Sequence, residues 1–406
     1  MKFLAVVSQQ NQALRFRLFL EASAPGAKVL EKIKSASEIL FLDWGNAEDP
    51  IPSQLDDLAE VLGRAQIIRI SLPSATQVFT KARYRDFSKI YTDFLRQRPE
   101  LEEVFQFSYE GHYSVLATLC RESKVVTNLL EEGLGTYVHA WDNKRVVVPG
   151  IFGTFIQAAR GLVGPVLKNP VGSSLPNLLL RFSREIFWGL FGAKIPNRDQ
   201  LIGGFRYFDV FFTSFPDLAR AVFPESKLIF TPFSVAMIEN DEESRQYFEN
   251  LGFTENDALF LGQTYPFGLD ETVLILSEAL TCCDGTLWIK PHPRLGEDGM
   301  QNLTQALELI GEDRIRIIET HKSGEFLVEI LKPSVVISLT STTLTYVDQI
   351  SPLTECISLA DYALSLLDTS KVRSSRRTKK VLSADRAVLN FFPKIRSPKN
   401  RSSSFG

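Results

Sequence analysis

Glu131-Glu132-Gly133-Leu134-Gly135 sets two carboxylates side by side ahead of two glycines. Neighbouring like charges hinder each other's ionisation, which suits a general base working near neutral pH. The glycines allow a ligand to approach closely. Lys290-Pro291-His292-Pro293-Arg294 holds a histidine between two prolines and two cations. That is chemistry for a phosphate, which His292 could hydrogen-bond or protonate as it leaves, with Lys290 and Arg294 as cationic donors. Ser338-Leu339-Thr340-Ser341-Thr342-Thr343 gathers hydroxyls ahead of a helical pattern, either as an anion site or as a helix cap. Gly262-Gln263 pairs a residue suited to a tight turn with an amide that both donates and accepts.

All four stretches follow short apolar runs. In the first half these runs are Phe3–Val7, Ile39–Leu42, Ile67–Ile70, Val104–Phe107, Val125–Leu130 and Asp209–Phe212. In the second half they are Ala258–Leu261, Thr286–Ile289, Ile315–Ile318 and Val335–Ser338. Stretches with helical spacing lie between them, such as Gln54–Gly63, Phe87–Gln97, Thr272–Leu280 and Gly324–Leu331. Apolar strands alternating with helices predict α/β architecture with parallel sheets covered on both faces. The restart after Leu228–Met237 predicts two doubly wound units, residues 1–235 and 236–370. Ligands of such sheets bind beyond the carboxyl ends of the strands, where the four stretches fall. Residues 151–204 break the alternation with aromatics and interleaved bases, and read as helices lining a cleft or as a membrane-facing surface.

In this order, the motifs resemble those of bacterial sialyltransferases, and most closely the capsular polysialyltransferase family. Glu131-Glu132-Gly133 matches that family's acidic motif, His292-Pro293 its His-Pro motif, and Ser341-Thr342 its Ser-Ser/Thr motif. Gly262-Gln263 and Glu325 match positions common among related enzymes. Two features depart from the pattern: a Glu-Glu pair where a Glu-Asp pair is frequent, and Ser323-Gly324 where a proline usually precedes the glutamate.

The resemblance implies a GT-B fold, with two Rossmann-like domains facing across a cleft. It implies an inverting transfer of sialic acid from CMP-sialic acid to a glycan hydroxyl, with no metal and no further cofactor. Glu131 would be the base, with Glu132 as its substitute or modulator. His292 would assist departure of CMP, Ser341 and Thr342 would bind its phosphate, and Glu325 would accept from the ribose. Gly133, Gly262, Gln263, Lys290, Pro293 and Arg294 would complete the substrate site. The donor could instead be another CMP-activated sugar such as Kdo.

Other chemistries lack their signatures. There is no Walker loop, no G-x-S-x-G, no H-E-x-x-H and no D-x-D. His112, His139 and His321 have no ligand-like spacing. The third glycine of a dinucleotide fingerprint is replaced by Val138. Four cysteines make no disulfide scaffold, and no apolar run is long enough to span a bilayer, so a cytoplasmic protein is expected.

The net charge of −3 conceals a division. Residues 371–406 hold 11 Lys and Arg against one acid, Asp385, while residues 1–370 hold 34 bases and 47 acids. The expectation is a basic C-terminal tail that touches anionic lipid beside a lipid-linked acceptor at the inner membrane, with Phe391-Phe392 as an apolar anchor. Deleting the tail would then leave the donor site intact. A non-catalytic scaffold whose tail binds nucleic acid is the reading of a different class. An acidic body with no nucleic-acid module speaks against it.

Overall fold

The computed structural model describes residues 2–33, 37–43, 51–72, 81–109, 111–133, 135–137, 207–238, 241–369 and 375–398. The chain divides into two compact units, residues 1–132 with 142–231, and residues 133–141 with 232–406.

The first unit carries a seven-stranded parallel sheet. Its strands are β1 (Phe3–Val7), β2 (Ser37–Asp43), β3 (Gln66–Ser71), β4 (Glu103–Gln106), β5 (Val126–Leu130), β6 (Val210–Thr213) and β7 (Lys227–Phe230). They run in the order β3-β2-β1-β4-β5-β6-β7. The order reverses between β1 and β4, which makes that pair the switch point of a doubly wound sheet. β1 is buried throughout, whereas the edge strands β3 and β7 are partly exposed. Aromatic side chains from strands and helix pack one face, with Phe16 on Phe105 and Phe19 on Phe212.

The second unit repeats the plan with six parallel strands: β8 (Ala258–Leu261), β9 (Leu287–Lys290), β10 (Ile315–Ile317), β11 (Val335–Ser338), β12 (Glu355–Ser358) and β13 (Ile395–Arg396). Their order is β10-β9-β8-β11-β12-β13, with the switch point between β8 and β11. β8, β9 and β11 are buried along their whole length. Asp257 closes the opposite end of the sheet. Its carboxylate accepts from the Thr254 and Thr286 N–H groups at 2.8 and 2.6 Å and from Trp288 Nε1 at 3.3 Å.

The C-terminal segment departs from expectation. Residues 375–398 belong to the second unit and are not a free tail. Ser375–Leu389 is a helix that buries Leu382, Val388 and Leu389, and β13 extends the sheet beyond β12. The charge division has a local explanation. Arg386 pairs with Asp361, Lys379 with Asp368, Lys394 with Asp348 and Arg396 with Glu355, so four of the segment's bases face acids of their own unit. Residues 151–204 and His139 lie outside the described residues. His112 is buried, with Nδ1 2.8 Å from the Tyr91 hydroxyl, and burial pushes its pKa down to about 3.

Candidate active site

The acidic motif begins where β5 ends. Glu131 continues the sheet, its N–H donating to the Phe212 carbonyl at 3.2 Å. Its Oε2 accepts from the Ser214 N–H at 2.7 Å and the Thr213 hydroxyl at 3.2 Å, at the carboxyl end of β6. Glu132 turns elsewhere, with both oxygens 3.4 Å from the Gln12 amide nitrogen on the helix after β1. The adjacent carboxylates therefore diverge, each held by a different element. Both are half-buried. Gly133 has φ +146, and a Cβ there would lie 3.1–3.2 Å from the Thr342 side chain. Glycine is thus required both by the backbone and by the approach to Thr342 within the second unit.

Gly262, His292 and Lys290 meet at the ends of β8 and β9. The Gly262 N–H donates to the Lys290 carbonyl at 2.8 Å. A Cβ on Gly262 would meet that carbonyl oxygen at 3.1 Å, His292 N at 3.2 Å and Pro291 Cα at 3.3 Å. Gly262 is therefore the residue that lets the His-Pro loop lie against the end of β8. Gln263 follows, half-buried.

The loop is a tight turn. The Leu295 N–H donates to the His292 carbonyl at 2.9 Å, which places Pro293 at the turn position that favours proline. The Arg294 N–H donates to His292 Nδ1 at 3.0 Å. A nitrogen that accepts an N–H offers its lone pair, so the neutral ring carries its proton on Nε2. Burial, then Lys290 and Arg294, lower the His292 pKa below its usual 6.5. The geometry thus leaves Nε2–H as the ring's free donor.

Lys290 is 6% exposed and Glu325 is 8% exposed. Burial lowers the Lys290 pKa and the Glu325 charge partly restores it. Glu325 stands in the first turn of the helix Gly324–Leu331, whose start is capped by Ser323 Oγ accepting from the Phe326 N–H at 3.1 Å. A Cβ on Gly324 would lie 2.5 Å from Thr343 Oγ1. Glycine in this position therefore allows the helix to approach the hydroxyl loop closely.

That loop follows β11 and opens the helix Thr343–Ile350. Thr342 occupies the cap position without a capping hydrogen bond from its side chain. Ser341 Oγ accepts from the Thr343 N–H at 3.3 Å, which leaves its own proton for another partner. Thr340 is paired with Tyr265, whose hydroxyl lies 2.5 Å away and also donates to Asp385 on the C-terminal helix. No sequence motif marks Tyr265 or Asp385; Asp385 stands out only as the single acid of the basic segment. Arg294 and Pro293 are exposed.

The second unit therefore gathers Gly262, Gln263, Lys290, His292, Glu325, Ser341 and Thr342 around the carboxyl ends of β8, β9 and β11. In open α/β sheets this is the end at which ligands bind. Among the described residues, no three His, Cys, Asp or Glu side chains are grouped to hold a metal. Also among the described residues, no helix is long and apolar enough to cross a membrane.

Two Rossmann-like units in one chain are the make-up of the GT-B fold. The sequence profile of the alpha-2,8-polysialyltransferase family matches residues 4–360, and the chain belongs to that family. It is a glycosyltransferase of sialyltransferase type. No curated protein matches it in sequence. Solved structures similar to it include UDP-GlcNAc 2-epimerase from Neisseria meningitidis bound to UDP-GlcNAc, at 13% identity and TM-score 0.49, covering 98% of this chain and 95% of that one. HepE from Anabaena in complex with UDP and glucose is similar at 9% identity and TM-score 0.46, covering 100% and 98%. MurG from Acinetobacter baumannii is similar at 10% identity and TM-score 0.43, covering 98% and 87%.

Proposed function

We propose that this enzyme transfers sialic acid from CMP-sialic acid to a hydroxyl of a cell-surface glycan, with inversion and without a metal. The observation that carries the reading is the His292 loop, packed on Gly262 at the carboxyl end of β8, in the same unit as the hydroxyl loop after β11, in a chain of the polysialyltransferase family. The second unit takes the nucleotide. His292 Nε2–H and the Ser341 hydroxyl donate to the phosphate of the departing CMP, and Lys290 and Arg294 add positive charge. Glu325 accepts from the ribose.

The first unit supplies the base. Glu131 is the better suited of the two acids, because Ser214 and Thr213 fix its orientation through one oxygen. A fixed carboxylate deprotonates the acceptor hydroxyl as the sugar, with oxocarbenium character, leaves CMP. Transfer by direct displacement inverts the anomeric centre. A lipid-linked acceptor at an anionic membrane surface belongs to the same reading, although four bases of the C-terminal segment already face acids of their own unit.

A thermal-shift panel of nucleotides tests the donor class. CMP and CDP are expected to raise the melting temperature more than UMP, UDP and GMP, since a ligand that binds only the folded state stabilises it. A preference for UDP would overturn the CMP-sugar assignment.

A further inference from the structure

We infer that Asp385 and Tyr265 set the proton order of the hydroxyl loop, making Thr340 a hydrogen-bond acceptor for the nucleotide, beside Ser341, whose O–H donates to its phosphate. The inference rests on the nucleotide-donor reading above and adds Tyr265 and Asp385, which lie outside the motifs that led to it.

The direction of the chain follows from its members. Asp385 is a carboxylate and can only accept, so the Tyr265 hydroxyl donates to it. Burial, and then the Asp385 charge, push the Tyr265 phenol well above its usual pKa, so it keeps that proton. With its one proton committed, the Tyr265 oxygen can only accept from Thr340 Oγ1, 2.5 Å away. The Thr340 proton is thereby used within the protein, and Thr340 Oγ1 offers only lone pairs to anything else. Thr340 is 8% exposed, so water does not freely reorder the chain.

An oxygen presented in this way repels a phosphate oxygen and attracts a ligand O–H or N–H. Ser341 is the opposite case, since its oxygen accepts from the Thr343 N–H and its proton is left to give. The run Thr340-Ser341 thus sorts the ligand's groups, with a hydroxyl or amine hydrogen toward Thr340 and the anion toward Ser341. Asp385 and Tyr265 touch no ligand in this scheme and are positioning residues. The C-terminal helix, whose charge suggested a tail, supplies one end of the relay.

Isothermal titration of CMP into wild type, Thr340→Val, Thr340→Ser, Tyr265→Phe, Asp385→Ala and the double variants with Thr340→Val tests this. Tyr265→Phe, Asp385→Ala and Thr340→Val should each bind CMP about three- to tenfold more weakly, the worth of one ordinary hydrogen bond. Thr340→Ser should bind as wild type does. Adding Asp385→Ala or Tyr265→Phe to Thr340→Val should cost nothing more, whereas a merely structural role gives additive losses and overturns the inference. Among 2′-deoxy-CMP, 3′-deoxy-CMP and UMP, the analogue lacking the group that meets Thr340 should bind Thr340→Val and wild type equally. Wild-type affinity in Tyr265→Phe and Asp385→Ala sinks the relay while leaving the donor reading standing. Failure of wild type to bind any of these nucleotides sinks both.

Discussion

At the scale of single residues, a backbone contact selects the tautomer of His292. The Arg294 N–H occupies Nδ1, and burial with two neighbouring cations disfavours the imidazolium. The ring is then a directional donor, and an asparagine amide can replace a donor but not an acid. His292→Asn is expected to retain turnover within about tenfold of wild type. His292→Ala should lose about ten- to a hundredfold, the worth of a hydrogen bond to a charged group. If both variants fall equally, by about 10²–10⁴-fold, the ring acts as a general acid instead. The pH–rate profile is a second check, since a limb near pH 6.5 that disappears in His292→Asn would contradict a ring already neutral there.

The placement of His292, Glu131, Ser341 and Thr342 just beyond strands was legible in their positions after apolar runs. The tautomer of His292 and the divergence of Glu131 from Glu132 were not legible. Both depend on partners, Arg294 N–H, Ser214 and Gln12, whose proximity is a product of folding.

At the scale of elements, all ten apolar runs appear as strands, because a strand buried on both faces must be nearly continuous in apolar residues. Three strands were not among them. β7 carries the apolar run Leu228–Phe230 but falls in the stretch read as the junction, β12 has two apolar residues among four, and β13 is two residues long.

The C-terminal helix was concealed by its charge. Its exposed bases dominate the composition, while the packing is done by Leu382, Val388 and Leu389. The two contributions are separable. Leu382→Ala should lower the stability of the chain to urea by about 2–5 kcal/mol, as for other buried leucines. Lys394→Ala, which removes an exposed ion pair, should change it by less than about 1 kcal/mol. An equal effect of both, or none from Leu382→Ala, would contradict the packed helix. Deletion of residues 371–406 is accordingly no clean test of membrane contact, because it removes this helix, β13 and Asp385 together.

At the scale of the whole molecule, the uneven charge, the paired Rossmann-like units and the family membership converge on one account. An acidic chain carries a basic segment that partly neutralises its own second unit. That unit carries the His292 and hydroxyl loops, and the first carries a carboxylate held by Ser214 and Thr213. The α/β class and the restart of the pattern were legible because sheet burial writes itself into the sequence. The partnership of Asp385 with Tyr265 was not, being a contact across 120 positions of chain.

The central claim is that Glu131 activates an acceptor toward a CMP-activated sialic acid. Its most direct test is mass-spectrometric product analysis after incubating wild type and Glu131→Gln with CMP-sialic acid and a panel of sialylated and galactosylated acceptors. The account predicts an extended glycan and stoichiometric CMP from wild type, with Glu131→Gln slower by about 10²–10⁴-fold and still able to bind CMP. Wild-type turnover in Glu131→Gln, or no sialylated product from any acceptor with wild type, would contradict it.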